Sequence, residues 1–102
     1  MTNLTTATFD QALASSKPVV VDFWADWCMP CKMLAPVYEE LSAELGERFD
    51  FYKLDITGNE ALAERYGVTH IPTIIVFRGG KAAERLTGMQ SKKALEKMII
   101  GE

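Results

Sequence analysis

Cys28 and Cys31 stand with only Met29-Pro30 between them, and they are the two cysteines of a 102-residue chain. On a helix, residues i and i+3 have Cα atoms about 5 Å apart, inside the span a disulfide tolerates. A bond between these sulfurs can therefore open and close with little backbone movement, as a cycling redox centre requires. The pair follows the run Val19-Val20-Val21-Asp22-Phe23-Trp24 and opens the longest helical pattern in the chain. At a helix N-terminus, free N–H groups and the macrodipole favour an anionic sulfur. Cys28 is thus expected to ionise more readily than a free thiol and to be the attacking nucleophile. Cys31, one turn further in, is expected to be the resolving thiol.

Two other uses of such a pair are weaker. Half a zinc site needs about two further ligands, and beyond the cysteines the chain offers one histidine, His70, so carboxylates would have to complete the set. No metal is expected. Inert core cysteines are common, but Trp27 and Pro30 put this pair at a strand–helix corner, where a helix start meets solvent. Asp22 interrupts the apolar run. If the strand continues through it, burial disfavours its charge, raises its pKa and lets it exchange a proton with Cys31. If the strand frays there, Asp22 merely caps a loop; Phe23-Trp24 beyond it favour the first reading. Trp24 reads as structural packing.

The elements that must place these groups alternate along the chain. Phe9, Ala12 and Leu13 share a helical face, with threonines nearby to cap it, and Lys17-Pro18 ends the helix. Val19–Trp24, apolar on both faces, is the pattern of a buried sheet centre. From Pro30 to Leu45, Met33, Val37, Leu41 and Leu45 recur every four residues, joined by Leu34 and Tyr38, and Gly46 closes the helix. Pro36 inside it is expected to kink it. Phe49–Ile56 reads as a strand. Thr57-Gly58-Asn59-Glu60 has capping-box spacing before a short helix burying Leu62, Ala63 and Tyr66 and ending at Gly67. Thr73–Phe77, a Gly79-Gly80 turn and Lys81–Thr87 form a hairpin whose charges, Lys81, Glu84 and Arg85, suit a sheet edge. Ser91 caps a last helix burying Ala94, Leu95, Met98 and Ile99. The β-α-β-α-β order argues for parallel strands, to which the hairpin adds an antiparallel pair. The expected class is α/β: a mixed central sheet with helices on both faces, as a single domain over residues 1–102.

Composition narrows the function. The net charge of −3 argues against a nucleic-acid or anionic-membrane partner, and no apolar run reaches the length of a membrane span. Met1-Thr2-Asn3-Leu4 lacks the basic-then-apolar pattern of a secretory signal, so a cytoplasmic protein is expected.

Trp24-Ala25-Asp26-Trp27-Cys28-Met29-Pro30-Cys31-Lys32 resembles the active-site segment of the thioredoxin family, usually W-C-G-P-C-K. Val21-Asp22-Phe23-Trp24, Lys53-Leu54-Asp55, Ile71-Pro72-Thr73, Phe77-Arg78-Gly79-Gly80 and Gly88 resemble the same family at the expected separations, from about Leu4 to Ile100. The resemblance implies the thioredoxin fold, a five-stranded mixed sheet with four flanking helices, and a dithiol–disulfide reductase acting on disulfide-containing proteins. It implies attack by Cys28, resolution by Cys31, and regeneration with NADPH through a flavoprotein thioredoxin reductase, the chain itself binding no cofactor and working as a monomer. Lys53 would moderate the Asp22 shift, though it could equally snorkel to solvent. Pro72 would be a cis-proline facing the disulfide, leaving the Ile71 backbone free for an extended substrate. Trp27, Met29, Pro30, Ile71, Gly88 and Met89 would line the contact surface.

Met29 stands where the family has glycine, in the dipeptide that helps set redox poise, and adds a pliable apolar side chain. His70 precedes Ile71-Pro72, where small residues are frequent; it either aids the Cys28 thiolate or is a solvated loop residue. Thr57 replaces a common acid and reads as a cap. A thiol oxidant or isomerase of the same fold, and a binding module with incidental cysteines, are the alternatives.

Overall fold

The computed structural model describes residues 1–101. Its elements run β1 (Asn3–Leu4), α1 (Phe9–Leu13), β2 (Val19–Trp24), α2 (Met29–Leu45), β3 (Asp50–Asp55), α3 (Glu60–Arg65), β4 (Thr73–Arg78), β5 (Lys81–Thr87) and α4 (Lys92–Ile100). They build one five-stranded mixed sheet in the order β1-β3-β2-β4-β5, flanked by four helices. Strand β2 is central because it is apolar on both faces, and five of its six residues are buried. It runs parallel to β3, with Asp22 opposite Lys53, and antiparallel to β4, with Asp22 opposite Ile74. Antiparallel β4 corrects the expectation from element order: the α3 connection delivers a reversed strand, so only β1, β3 and β2 are mutually parallel. The β1 strand, only two residues long, falls below the length at which alternation can be read.

Alternation along β2 divides the interior in two. Val19, Val21 and Phe23 pack with Phe9 and Leu13 of α1, Leu62 of α3, and Ile75 and Phe77. Val20 packs on the other side with Leu34, Tyr38 and Leu41 of α2 and Leu95 and Ile99 of α4. The buried stripe of α2 is Cys31, Leu34, Tyr38, Leu41 and Leu45. Met33 does not belong to it: it is exposed, because a stripe drifting at 3.6 residues per turn reaches Leu34 and Tyr38 rather than Met33.

Local caps differ from the expected ones in instructive ways. Ser91 accepts from the Ala94 N–H at 3.1 Å and caps α4 as anticipated. In α3 the N-cap is Asn59, and no side chain caps it; Glu60 instead accepts from the Gly58 N–H at 3.0 Å. Asn59 Oδ1 is already engaged by the Thr6 N–H at 2.9 Å. A tertiary contact has displaced the local one. The threonines before α1 bond among themselves, and none caps the helix. No helix among the described residues is long and apolar enough to cross a membrane.

Candidate active site

Cys28 is the N-cap of α2, in extended conformation, with Met29-Pro30 forming the first helical residues. Proline is tolerated there because the N–H it lacks would have no helical partner. The Cys28 sulfur accepts from the Cys31 N–H at 3.3 Å, so a free donor of the helix start is aimed at it. Cys28 and Cys31 are joined by a disulfide, with Cα atoms 5.3 Å apart. Both are buried, Cys31 more completely (1% exposed, against 6% for Cys28), so the bond meets solvent through a narrow window over Cys28. That window is smaller than a helix start suggests, because Trp24, Ala25, Ile56 and Ile71 pack around the bond.

Across from the disulfide, the Ile71–Pro72 peptide bond is cis. The Ile71 carbonyl lies 3.9 Å from the Cys28 sulfur. The Pro72 carbonyl accepts from the Gly88 N–H at 2.8 Å, and Gly88 takes a positive φ of 84° that a side chain would resist. The cysteine corner, the Ile71-Pro72 segment and the Gly88 turn therefore meet in one place. Trp27 (71% exposed), Met29 (65%) and Met89 (49%) stand out from it into solvent, and Pro30 is exposed beside them. The Trp27 indole N–H donates to Thr57 Oγ1 at 3.3 Å. Thr57 is thus a tether for Trp27 rather than a helix cap, a role no local pattern could show. His70 is exposed, with its Nδ1 3.1 Å from Thr69 Oγ1.

Asp22 lies within β2 and is fully buried, and neither carboxyl oxygen has a hydrogen-bond partner. Its strand does not fray. Burial pushes its pKa from 3.8 to about 7, and the field of Lys53 holds it back from rising further. Lys53 is half-buried on β3 opposite Asp22, its ammonium 4.2 Å from the centre of the Trp24 ring. Trp24 therefore does more than pack: it faces that cation, and its indole N–H donates to Asn3 Oδ1 at 3.0 Å. Tyr38, fully buried on α2, places its hydroxyl 2.7 Å from the Tyr52 carbonyl and 3.1 Å from that of Val20. The polar contacts of Asn3, Tyr38 and Thr57 are not legible in the sequence, because they span 14 to 30 residues. No group of three or more His, Cys, Asp or Glu among the described residues is placed to hold a metal.

A bonded Cys-x-x-Cys at a helix start thus faces a cis-proline. The family model described as thioredoxin matches residues 1–101. The chain belongs to the thioredoxin family. It is 43% identical over 96 residues to a thioredoxin of Alicyclobacillus acidocaldarius, covering 94% of this chain and 91% of that one. A bifunctional thioredoxin reductase/thioredoxin of Mycobacterium leprae is 47% identical over 87 residues, which are 85% of this chain and 19% of that longer protein. The crystal structure of Malassezia sympodialis thioredoxin superposes with a TM-score of 0.90 at 32% identity, covering 99% of this chain and 89% of the other. The thioredoxin fold and the disulfide-forming pair make the chain a thiol–disulfide oxidoreductase with protein-disulfide reductase activity.

Proposed function

We propose that the chain reduces disulfides of other proteins through Cys28, and that Asp22 serves the proton transfers. The Cys28 thiolate attacks one sulfur of the substrate disulfide. That bond breaks as the Cys28–substrate bond forms, and the released sulfur takes up a proton. Asp22, poised near neutrality, accepts the proton of Cys31, whose thiolate then attacks Cys28. The mixed disulfide breaks, the second substrate sulfur leaves, and Cys28–Cys31 closes. Two electrons have passed from the chain to the substrate. Trp27, Met29, Pro30, Ile71, Pro72, Gly88 and Met89 form the surface on which an extended substrate segment rests, and Lys53 moderates Asp22.

Reducing equivalents come from NADPH through a thioredoxin reductase, a pairing supported by the Mycobacterium leprae relative in which both activities share one chain. The chain acts as a monomeric single domain, residues 1–102, in the cytoplasm, with no bound cofactor or metal. The observation that carries the reading is the Cys28 sulfur at the α2 N-cap, receiving the Cys31 N–H and facing the Ile71 carbonyl. Met29 in place of glycine leaves the reverse direction, a thiol oxidant or isomerase, open, so the test is thermodynamic. Equilibration of Cys28/Cys31 against glutathione buffers is expected to give a potential near about −270 mV. A potential near about −150 mV would assign the chain to oxidation instead.

A further inference from the structure

Lys53 is the cation whose field reaches Asp22, yet its ammonium makes no hydrogen bond to that carboxyl. The two residues face each other in register on neighbouring parallel strands. What occupies the ammonium is the face of Trp24, 4.2 Å away. Trp24 lies two residues beyond Asp22 on β2 and so shares its face of the sheet. A cation within about 6 Å of an indole centroid is attracted by the ring's quadrupole, more so when partly desolvated. The ring in turn is anchored at its N–H by Asn3 on β1, and its other contacts include the cluster around the disulfide.

We propose that Trp24 is a positioning residue: tethered by Asn3, its ring holds the Lys53 ammonium clear of the Asp22 carboxyl and so sets how much of that cation's field the acid feels. The other groups around Asp22 leave this role to Lys53. From β4 the facing residue is Ile74, and from α4 the packed residues are Leu95 and Ile99, all apolar. From α2 come Cys31, held in the disulfide, and Tyr38, whose hydroxyl is engaged by the Val20 and Tyr52 carbonyls. Lys53 is thus the charged side chain in register with Asp22, while Asp55, next on the same face of β3 and opposite Trp24, is engaged by the Thr57 N–H at 2.9 Å. Release from the ring would let it approach the carboxylate, favour the ionised acid and lower its midpoint.

The catalytic consequence rests on the proton-transfer reading of Asp22, but the linkage itself is read without turnover. The Asp22 carboxyl is titrated by carbon-13 NMR in the oxidised protein and in Trp24→Phe, which weakens the cation's hold and removes the Asn3 tether while keeping an aromatic core side chain. The midpoint is expected to fall by about half a pH unit. The same substitution in a Lys53→Met background is expected to leave the midpoint unmoved. Asn3→Ala, an exposed change that frees the ring without altering the interior, is expected to lower it by a smaller amount. A rise with Trp24→Phe, an equal shift with and without Lys53, or no shift in either Trp24→Phe or Asn3→Ala overturns the proposal. Failure of Asp22→Asn to slow the resolving step would instead overturn the proton-transfer reading and leave the linkage standing.

Discussion

On the face covered by α1 and α3, Val19, Val21 and Phe23 meet other apolar side chains, and Phe77 meets Phe9 and Tyr66 edge to face with centroids 5.7 and 5.1 Å apart. On the face under α2 and α4, the alternate residues of the same strand are Val20, Asp22 and Trp24, and they meet a lysine, a tyrosine hydroxyl and the disulfide corner. One strand thus serves two interiors with different tasks. The aromatic face can be packed for stability alone. The other holds a buried acid without a hydrogen-bond partner, an arrangement that opposes folding.

The largest expected effect tests whether chemistry is confined to the second face. Cys28→Ser abolishes turnover of protein disulfides, whereas Cys31→Ser leaves attack intact and accumulates mixed disulfides, visible on non-reducing gels. Absence of any trapped species would reverse the assigned order of the two cysteines. Next comes the aromatic face. Phe9→Ala removes a fully buried ring and is expected to cost about 3–5 kcal/mol in urea unfolding, with the pH profile of the remaining activity unchanged.

Asp22→Val is expected to act in the opposite direction. The folded pKa of about 7 lies above the ordinary 3.8, so between about pH 4 and 7 the native state binds more protons than the unfolded one. Stability from this group is therefore full below pH 4 and is lost as pH rises through 7, by about 4 kcal/mol at the plateau. The variant should flatten that slope in unfolding curves taken at pH 5 and pH 8 and be the more stable protein at pH 8. An unchanged slope would mean that Asp22 is not the titrating group. The smallest effect belongs to the rim. Trp27→Ala is expected to lower kcat/KM for a protein disulfide about tenfold while barely changing it for a small aromatic disulfide. Equal losses on both would place Trp27 in the chemistry rather than in docking.

The division between faces was only half legible in the sequence. Cys28, Cys31, Asp22 and the central strand declare themselves through spacing and through one charge in an apolar run. Four of the five strands follow from runs bounded by glycine and proline. What stayed hidden depends on contacts between distant parts of the chain. Met33 looked like core because a four-residue period and the true helical period agree over two turns and part thereafter. The Thr57–Glu60 box is not formed: the Thr57 hydroxyl accepts from Trp27, 30 residues away, and the helix starts at Asn59. The partners Asn3, Tyr38 and Thr57 carry no local signal, since a hydroxyl or amide is ordinary until the fold brings a donor to it. The reversal of β4 likewise lies in the α3 connection, whose composition is compatible with either strand direction.

Tyr38 has a consequence for how the redox corner can move. Its hydroxyl passes from α2 into the sheet and meets the carbonyls of Val20 and Tyr52 on adjacent strands. It works as a key in a slot. If α2 slid or rolled by a residue, that hydroxyl would be stranded among leucines, at the cost of a buried polar group left unmatched. The helix that carries both sulfurs is therefore locked in register with the strand that carries the acid. Opening and closing the disulfide is left to side-chain rotation in the first turn, above a shaft that does not travel.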